Sequence, residues 1–218
     1  IHQHAYSLLL DTVGMPESEY KSFSEYEEML KKHEYINNFK VTISNKQSIA
    51  KALAVYSAFT EGLQLFSSFV ILLNFPRFGR ITYSIRDESL HVEAMTQLFR
   101  EFMHENIDLW DDSLKKEIYQ TCREMVHLED KFLDLVFEMG DIQGLTKKEM
   151  YEYIRYIADR RLLQLGLKPN YGVKHNPLSW LDDVLGVEHQ NFFEGRSTAY
   201  MKAGLRGNQE GIKFAEIA

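Results

Sequence analysis

The chain has 218 residues, 44% of them hydrophobic and 26% charged, so it can bury a core and has the composition of an ordinary globular protein. Its net charge of −7 argues against general nucleic-acid binding, which needs a basic surface. No apolar run reaches the roughly 18–20 residues that span a bilayer. The single cysteine, Cys122, excludes an internal disulfide and fits a reducing cytosol. We therefore expect a cytoplasmic protein that binds neither nucleic acid nor membranes.

The N-terminal part of the sequence predicts helices joined by short connections. Residues 2–12 have helical composition, and a second helix is predicted from Ser18 to Ile36. Residues 37–46 mix Asn, Ser and β-branched side chains, which is typical of a connection. Residues 47–73 are apolar with polar residues at helical intervals, a pattern that predicts one long buried helix.

The remaining elements are also predicted to be helical. Further helices are expected over residues 82–104 and 113–139. The capping-box pattern Thr146-Lys-Lys-Glu149 opens a helix that should end near Gly166. Beyond Pro169 the chain becomes irregular, and no alternating pattern indicates a strand. These features predict an all-α fold, a bundle of long helices.

The sharpest chemical motif is Arg86-Asp87-Glu88-Ser89-Leu90-His91. Glu88 and His91 are three residues apart, so on a helix both side chains project from one face and can bind a metal ion together. Asp87 could accept a hydrogen bond from the second ring nitrogen of a ligand histidine. Most such pairs are solvated surface residues. Apolar neighbours nonetheless indicate a helix with much of its circumference buried: Ile85, Leu90, Val92 and Met95.

A second candidate is Glu61, a carboxylate inside one of the most apolar predicted helices. A buried carboxylate must be protonated, paired or bound to a metal, because burying it alone costs several kcal/mol. The simpler interpretation places Glu61 on a polar stripe with Gln64 and Ser68. The neighbouring Gly62 favours the functional interpretation, since it permits close approach by another helix.

The third candidate is His2, with Tyr6 one helical turn later on the same face. A phenol beside a metal pair is a plausible one-electron donor. A histidine at a terminus is more often exposed to solvent, and a tyrosine at this spacing more often only packs.

Together these residues match the pattern of ferritin-like dimetal proteins, in which two helices supply glutamates and two others supply Glu-x-x-His pairs. Residues 85–95, IRDESLHVEAM, resemble the helix of the ribonucleotide reductase small subunit that supplies the last of those pairs. Residues 3–7, QHAYS, resemble the segment after that family's first pair. Residues 157–161 and 191–194 are similar to later parts of the family, so the likeness extends over nearly the whole chain.

The resemblance implies a ferritin-like helical bundle that binds two metal ions, iron or manganese, per chain. It places Tyr6 at the radical-tyrosine position and makes Asp87 the link between a ligand histidine and the long-range electron route. Such a subunit stores one oxidising equivalent and passes it to a large subunit, where ribonucleotides are reduced to deoxyribonucleotides. The implied partners are that large subunit and a second copy of the chain in a homodimer. The implied metal ligands are His2, Glu61, Glu88 and His91.

Parts of the family's pattern are absent from the sequence. The glutamate that pairs with His2 would lie three residues before it, and an aspartate ligand from an earlier helix is also lacking. The interval from Glu61 to Glu88 is about two helical turns shorter than in the family. We therefore expect residues 1–218 to form a single ferritin-like domain that lacks its N-terminal part and a loop near residue 80.

The surroundings of the radical tyrosine also depart from the family's pattern. Bulky apolar side chains usually enclose this position, and the equivalents here are Leu65, Phe69 and the polar Ser84. A hydroxyl group invites water, which shortens the lifetime of a tyrosyl radical. Both locations for the oxidising equivalent, Tyr6 and the metals, stay open, and Ser84 favours the metals.

Two other functions are compatible with the residues. One is a different ferritin-like dimetal protein, such as an oxidase, a desaturase or an iron store. The other is a helical interaction module without metal, in which every Glu and His named above lies on the surface. Metal content separates the interaction module from the others, and reductase activity with a large subunit separates the first two. Carboxylate and imidazole ligands suit iron and manganese alike.

Overall fold

The computed structural model describes residues 2–74 and 82–181, without the side chains of residues 2–6, 9, 22, 23 and 82–88. Within these ranges every regular element is helical and none is a strand, as the sequence predicts. None of the described helices is both long and apolar enough to cross a membrane. The chain divides into residues 1–178 and residues 179–218, and all the helices named below belong to the first unit.

The first helices are shorter than predicted. Helix α1 spans His2–Val13, in agreement with the sequence. The continuous helix predicted from Ser18 to Ile36 is wrong, because the backbone at Tyr26 is extended, with φ −88° and ψ 122°. The region instead contains a 3-10 turn and two helices, which are Glu17–Lys21, α2 at Ser22–Glu25 and α3 at Glu27–Asn37.

The long buried helix predicted over residues 47–73 is present in three pieces. Helix α4 spans Lys46–Ala54 and is capped by Asn45, whose side chain accepts from the backbone N–H groups of Gln47 and Ser48. It continues into a π-helical segment, Val55–Thr60, and the chain then turns before α5 begins at Phe66 and ends at Leu73. The prediction of one unbroken helix is therefore wrong at residues 61–65, which we call the 61–65 break.

The later helices match their predicted bounds closely. Helix α6 spans Thr82–Glu105, a 3-10 turn covers Ile107–Leu109, and α7 spans Asp112–Met139. Thr146 and Glu149 form the predicted capping box at the start of α8, Lys147–Gln164. Gly166 follows with φ +80°, the left-handed conformation that commonly ends a helix.

The core lies where α7 packs against α3, α4 and α8, while the π-helical segment contacts α6, α7 and α8. The segment therefore sits among three long helices rather than on the surface, which explains why its Val55, Ser57, Ala58 and Phe59 are buried. The largest fully buried apolar side chains of the first unit are Phe59, Leu63, Phe99, Leu114, Ile118, Met125, Leu133, Met150, Ile154 and Leu162.

Candidate metal centre

Glu61 lies directly after the π-helical segment, at the start of the 61–65 break. The wider helical spacing is seen in two i→i−5 bonds, from Glu61 N to Tyr56 O at 3.3 Å and from Gln64 N to Phe59 O at 3.0 Å. Single π turns of this kind occur often at functional sites. Glu61 is half-buried, and its Oε2 atom is shielded from solvent. That oxygen is therefore buried, although the residue as a whole is not.

Gly62 permits the close approach that the sequence suggests. A Cβ atom at this position would lie 2.3 Å from Ala58 O and 2.6 Å from Arg161 Nε, both closer than real Cβ atoms come. Glycine is therefore required so that α8 can contact the 61–65 break.

Arg161 is the α8 side chain that makes this contact. Its Nε donates to the carbonyl oxygen of Gly62 at 2.8 Å, and its Nη1 donates to Gln164 Oε1 at 2.9 Å. The guanidinium also lies 5.1 Å from the ring centroid of Phe66. Only 8% of Arg161 is exposed, and this burial lowers the pKa of the guanidinium to about 10, which leaves it charged at neutral pH.

A second, partly buried cation contacts the break from α3. Lys32 Nζ donates to the carbonyl oxygen of Gln64 at 3.1 Å and forms an ion pair with Glu129 of α7. Ser67 donates a hydrogen bond to the same carboxylate. Glu129 has no exposed surface, and burial raises its pKa, a shift that Lys32 and Ser67 partly offset. Neither Lys32 nor Glu129 was identified as a candidate from the sequence.

The Asp87-Glu88-His91 motif lies on α6, as predicted, and α6 packs against the π-helical segment that precedes Glu61. The side chains of Asp87 and Glu88 are outside the described residues, while His91 is exposed. The burial expected around much of this helix's circumference is seen at Val92 but not at residues 89–91. Val92 is 1% exposed, but Leu90 is 57% exposed, and Ser89 and His91 are exposed on either side of it.

His2 and Tyr6 lie on α1, one turn apart, as predicted, but their side chains are outside the described residues. Of the positions expected to enclose Tyr6, Phe69 is buried and packs edge-on against Phe66, while Leu65 is 38% exposed. Ser84 belongs to the residues whose side chains are not described. The fate of a radical on Tyr6 therefore stays a prediction.

Among the described side chains, no three His, Cys, Asp or Glu residues form a cluster that could hold a metal ion. Three of the four expected ligands are either undescribed or exposed, so convergence of the full set stays a prediction. The donor types do fit the proposed metals, because iron and manganese both bind carboxylate oxygen and imidazole nitrogen. Glu61 has a solvent-shielded oxygen, and the segment that precedes it packs against the helix that carries Glu88 and His91.

Of the two later family-like segments, residues 157–161 lie on α8 and residues 191–194 are outside the described residues. Asp159 is 3% exposed and its carboxylate accepts three backbone N–H groups, so it fixes the loop that follows α8. The donors are Asn170 at 2.7 Å, Tyr171 at 2.8 Å and Val173 at 3.1 Å. This segment therefore contributes one anchor for the loop and, through Arg161, one contact to the 61–65 break.

A model of the family described as ribonucleotide reductase, small chain, matches residues 1–177. The probable ribonucleoside-diphosphate reductase small subunit 048L of Invertebrate iridescent virus 3 is 40% identical over 232 residues, which cover 95% of this chain and 62% of the relative. Small subunit 376L of Invertebrate iridescent virus 6, likewise named probable, is 38% identical over 251 residues, covering 95% and 70%. Both matched stretches exceed 218 residues, so these relatives carry residues inside them that this chain lacks.

The fold of this chain is also similar to solved structures of ribonucleotide reductase subunits. A crystal structure assigned to a class I ribonucleotide reductase from Bacillus halodurans superposes with a TM-score of 0.76 at 26% identity, covering 84% of this chain and 70% of that one. The ribonucleotide reductase R2 subunit from Clostridium botulinum gives 0.74 at 26% identity, covering 84% and 62%. This chain thus spans about two thirds of the length of the relatives it matches.

Proposed function

This chain belongs to the family of ribonucleotide reductase small chains, and we propose that the intact protein generates and stores the one-electron oxidant with which a large subunit reduces ribonucleotides to deoxyribonucleotides. The observation that carries the proposal is the placement of Glu61. A carboxylate with a solvent-shielded oxygen ends a π-helical segment, and the helix that carries Glu88 and His91 packs against that segment.

The residues proposed to hold the metals supply hard oxygen and imidazole nitrogen donors, which suit two iron or two manganese ions. When bound, such a pair supplies one-electron redox chemistry. Glu61 and Glu88 would contribute negative charge that balances buried cations, and the histidines would bind as neutral ligands. The proposed ligands are His2, Glu61, Glu88 and His91.

The remaining candidates act beside the metals. Asp87 would accept a hydrogen bond from a ligand histidine, which fixes the ring's tautomer and orientation. Tyr6, one helical turn beyond His2, would give up its phenolic proton and one electron if it stores the oxidising equivalent. We infer that Ser84 and the partly exposed Leu65 leave this tyrosine less protected from water, which favours storage on the metals.

The proposed setting is a homodimer in the cytoplasm that binds its large subunit. We propose that residues 1–218 form a single ferritin-like domain from which a loop near residue 80 is absent, which agrees with two findings. The chain spans 62–70% of its viral relatives, and those relatives carry extra residues inside the matched stretch.

The test is to measure metal content and deoxyribonucleotide formation with the intact protein. We expect two iron or manganese ions per chain, activity that requires added large subunit, and loss of metal on Glu61→Ala. Anomalous scattering at the iron and manganese edges identifies the metal. Metal binding with oxidase activity but no reductase activity would mean a different dimetal protein, and a metal-free protein would mean an interaction module.

Tyr6→Phe then locates the oxidant. Retained deoxyribonucleotide formation places it on the metals, which is the expected result. Complete loss, together with loss of a tyrosyl electron-paramagnetic-resonance signal, would place it on Tyr6. A normal metal content in the variant is the control for an intact site.

A further inference from the structure

The 61–65 break is held by two cationic side chains that come from different helices. Arg161 of α8 donates to Gly62 O at 2.8 Å, and Lys32 of α3 donates to Gln64 O at 3.1 Å. Both carbonyls belong to the five residues that begin with Glu61. The two contacts therefore fix the backbone within three residues of the proposed ligand.

The Gly62 contact follows from the local change in helical spacing. In a regular α-helix the Gly62 carbonyl would accept from the N–H of Phe66. Here Phe66 N donates to Leu63 O instead, at 3.1 Å. A buried carbonyl that loses its helical donor needs another one, and Arg161 Nε supplies it.

Removing a cation from water costs free energy unless other groups interact with its charge. Both cations have such interactions. Arg161 is 8% exposed and lies over Phe66, and the Lys32 side chain is 15% exposed, with Nζ 4.4 Å from the ring centroid of Phe132. Glu129 balances the charge of Lys32. No described acidic side chain lies within ion-pair distance of Arg161, so its main polar partners are the break itself and Gln164.

We propose that Arg161 and Lys32 are positioning residues that set the direction of the Glu61 carboxylate by fixing the carbonyls of the 61–65 break. This inference rests on the proposed role of Glu61 as a metal ligand. Neither side chain touches the metals in this scheme. Each acts through the backbone, and their removal would leave Glu61 present but free to turn away from the metal pair.

The test uses Mn²⁺ alone as the probe, added to the metal-free intact protein. Arg161→Lys keeps a positive charge but lacks the Nε donor of the guanidinium. We expect Mn²⁺ affinity to fall by about 10–100-fold, the usual effect of removing an outer partner of a metal site. The electron-paramagnetic-resonance spectrum of bound Mn²⁺ should also change, because its zero-field splitting reports on the ligand set.

The matched control is Arg155→Lys on the same helix. Arg155 makes a bidentate ion pair with Asp130, at 2.8 and 2.7 Å, and its side chain is 28% exposed. It donates to no carbonyl of the break. We expect this variant to lose stability yet to keep the affinity and spectrum of the unmodified protein within about twofold, against the 10–100-fold loss above.

A second pair of variants tests the contact from α3 and covers the case in which Arg161→Lys fails to fold. Lys32→Met with Glu129→Gln removes both charges of the ion pair together, so that neither is left without its partner. Its control, Lys51→Met with Glu117→Gln, removes a more exposed ion pair of 3.0 Å whose lysine lies 5.5 Å from the Phe39 ring centroid. The first double variant should weaken Mn²⁺ binding and change the spectrum, and the second should do neither.

The outcomes separate this inference from the proposed function. If Glu61→Gln weakens Mn²⁺ binding but the Arg161 and Lys32 variants match their controls, the positioning role is wrong and the ligand role stands. If the unmodified protein binds no Mn²⁺ or iron, or if Glu61→Gln has no effect, the proposed function itself fails and takes this inference with it.

Discussion

Two connections between helices differ in what holds them. The turn between α7 and α8 is organised mainly by residues that are neighbours in sequence, with one distant contact from Asn74 Nδ2 to Gln143 O at 2.6 Å. Gly144 has φ +82°, and Thr146 and Glu149 satisfy each other's backbone N–H groups. The 61–65 break has no such local device, since Leu65 precedes α5 without a side-chain cap. Its partners are Lys32 and Arg161, 32 and 99 residues away from the carbonyls they contact.

Because the two connections are held differently, substitutions in them should have different consequences for stability and for function. A local cap stabilises one helix end and can be replaced by any residue with similar chemistry. A break held by distant side chains depends on the packing of several helices, so a change there should disturb both folding and the orientation of Glu61. We therefore expect substitutions at the break to have the larger effects and substitutions at the α7–α8 turn to change stability alone.

The largest effect is expected for Gly62→Ala. The added Cβ would lie 2.3 Å from Ala58 O and 2.6 Å from Arg161 Nε, so the backbone or the arginine must move. We expect the free energy of unfolding to fall by about 3 kcal/mol, the upper range for overpacking, together with loss of metal binding. Denaturant unfolding and metal analysis measure the two effects.

Gly166→Ala is the control for that substitution. Unlike Gly62, Gly166 has a positive φ, +80°, and nothing lies within 4 Å of a Cβ there. Backbone strain alone should cost about 1–2 kcal/mol and leave metal binding unchanged. If both variants lost the same free energy of unfolding, the backbone of the break could accommodate the added Cβ, and the close contact with Arg161 would not be important for stability.

The second prediction concerns the pH dependence of stability at Glu129. Burial raises the pKa of this carboxyl above its ordinary value of 4.5. Above pH 4.5 the folded state therefore holds a proton that the unfolded state has released, and stability falls as pH rises until the folded pKa is passed. Relative to Glu129→Gln, the unmodified protein should lose at most about 1.4 kcal/mol per pH unit in this window.

Denaturant unfolding at several pH values above 4.5 measures the difference between the two curves. Glu117→Gln gives the reference, since it removes a carboxylate on the same helix that is 43% exposed and paired with Lys51. Parallel curves for the unmodified protein and Glu129→Gln would mean that Lys32 and Ser67 fully offset the burial of Glu129.

Much of the fold is predictable from the sequence because its signals are local. The bounds of α1, α6, α7 and α8 lie within one or two residues of those predicted, since caps, glycines and helical periodicity mark them. The helix predicted through Tyr26 and the one predicted through the 61–65 break are both interrupted. Periodicity alone does not reveal such interruptions, because the apolar pattern continues across them.

The candidate site was only partly predictable. Glu61 can be identified because it is a carboxylate in an apolar segment. The Glu88–His91 pair can be identified because its three-residue spacing places both side chains on one face of a helix. Gly62 signals that some helix approaches closely, but nothing in the sequence says which one. That Arg161 meets Gly62 and Lys32 meets Gln64 follows from tertiary packing between segments far apart in the chain, which propensity and spacing do not encode.

At the α7–α8 turn, Thr146→Ala should remove the capping box. Thr146 Oγ1 accepts from Glu149 N at 3.2 Å, and Glu149 Oε2 accepts from Thr146 N at 3.0 Å. We expect the free energy of unfolding to fall by about 1 kcal/mol, with metal content unchanged. Thr146→Ser keeps the hydroxyl and should restore stability. A drop in metal content would contradict the proposed separation between this turn and the site.

The smallest effect is expected for Asp134→Asn, near the same turn. Hydrogen bonds from Lys147, at 2.6 Å, and from Tyr151 hold the pKa of the Asp134 carboxyl below its ordinary value of 3.8. Its contribution is therefore present above pH 3.8 and is lost as pH falls through the folded pKa. Because the side chain is 29% exposed, solvent screens the pair, and the loss at neutral pH should be under about 1 kcal/mol. Unfolding measured at pH 7 and again below pH 3.8 should show the two proteins converging. A difference that persists at the lower pH would mean that Asp134 acts through packing rather than through its charge.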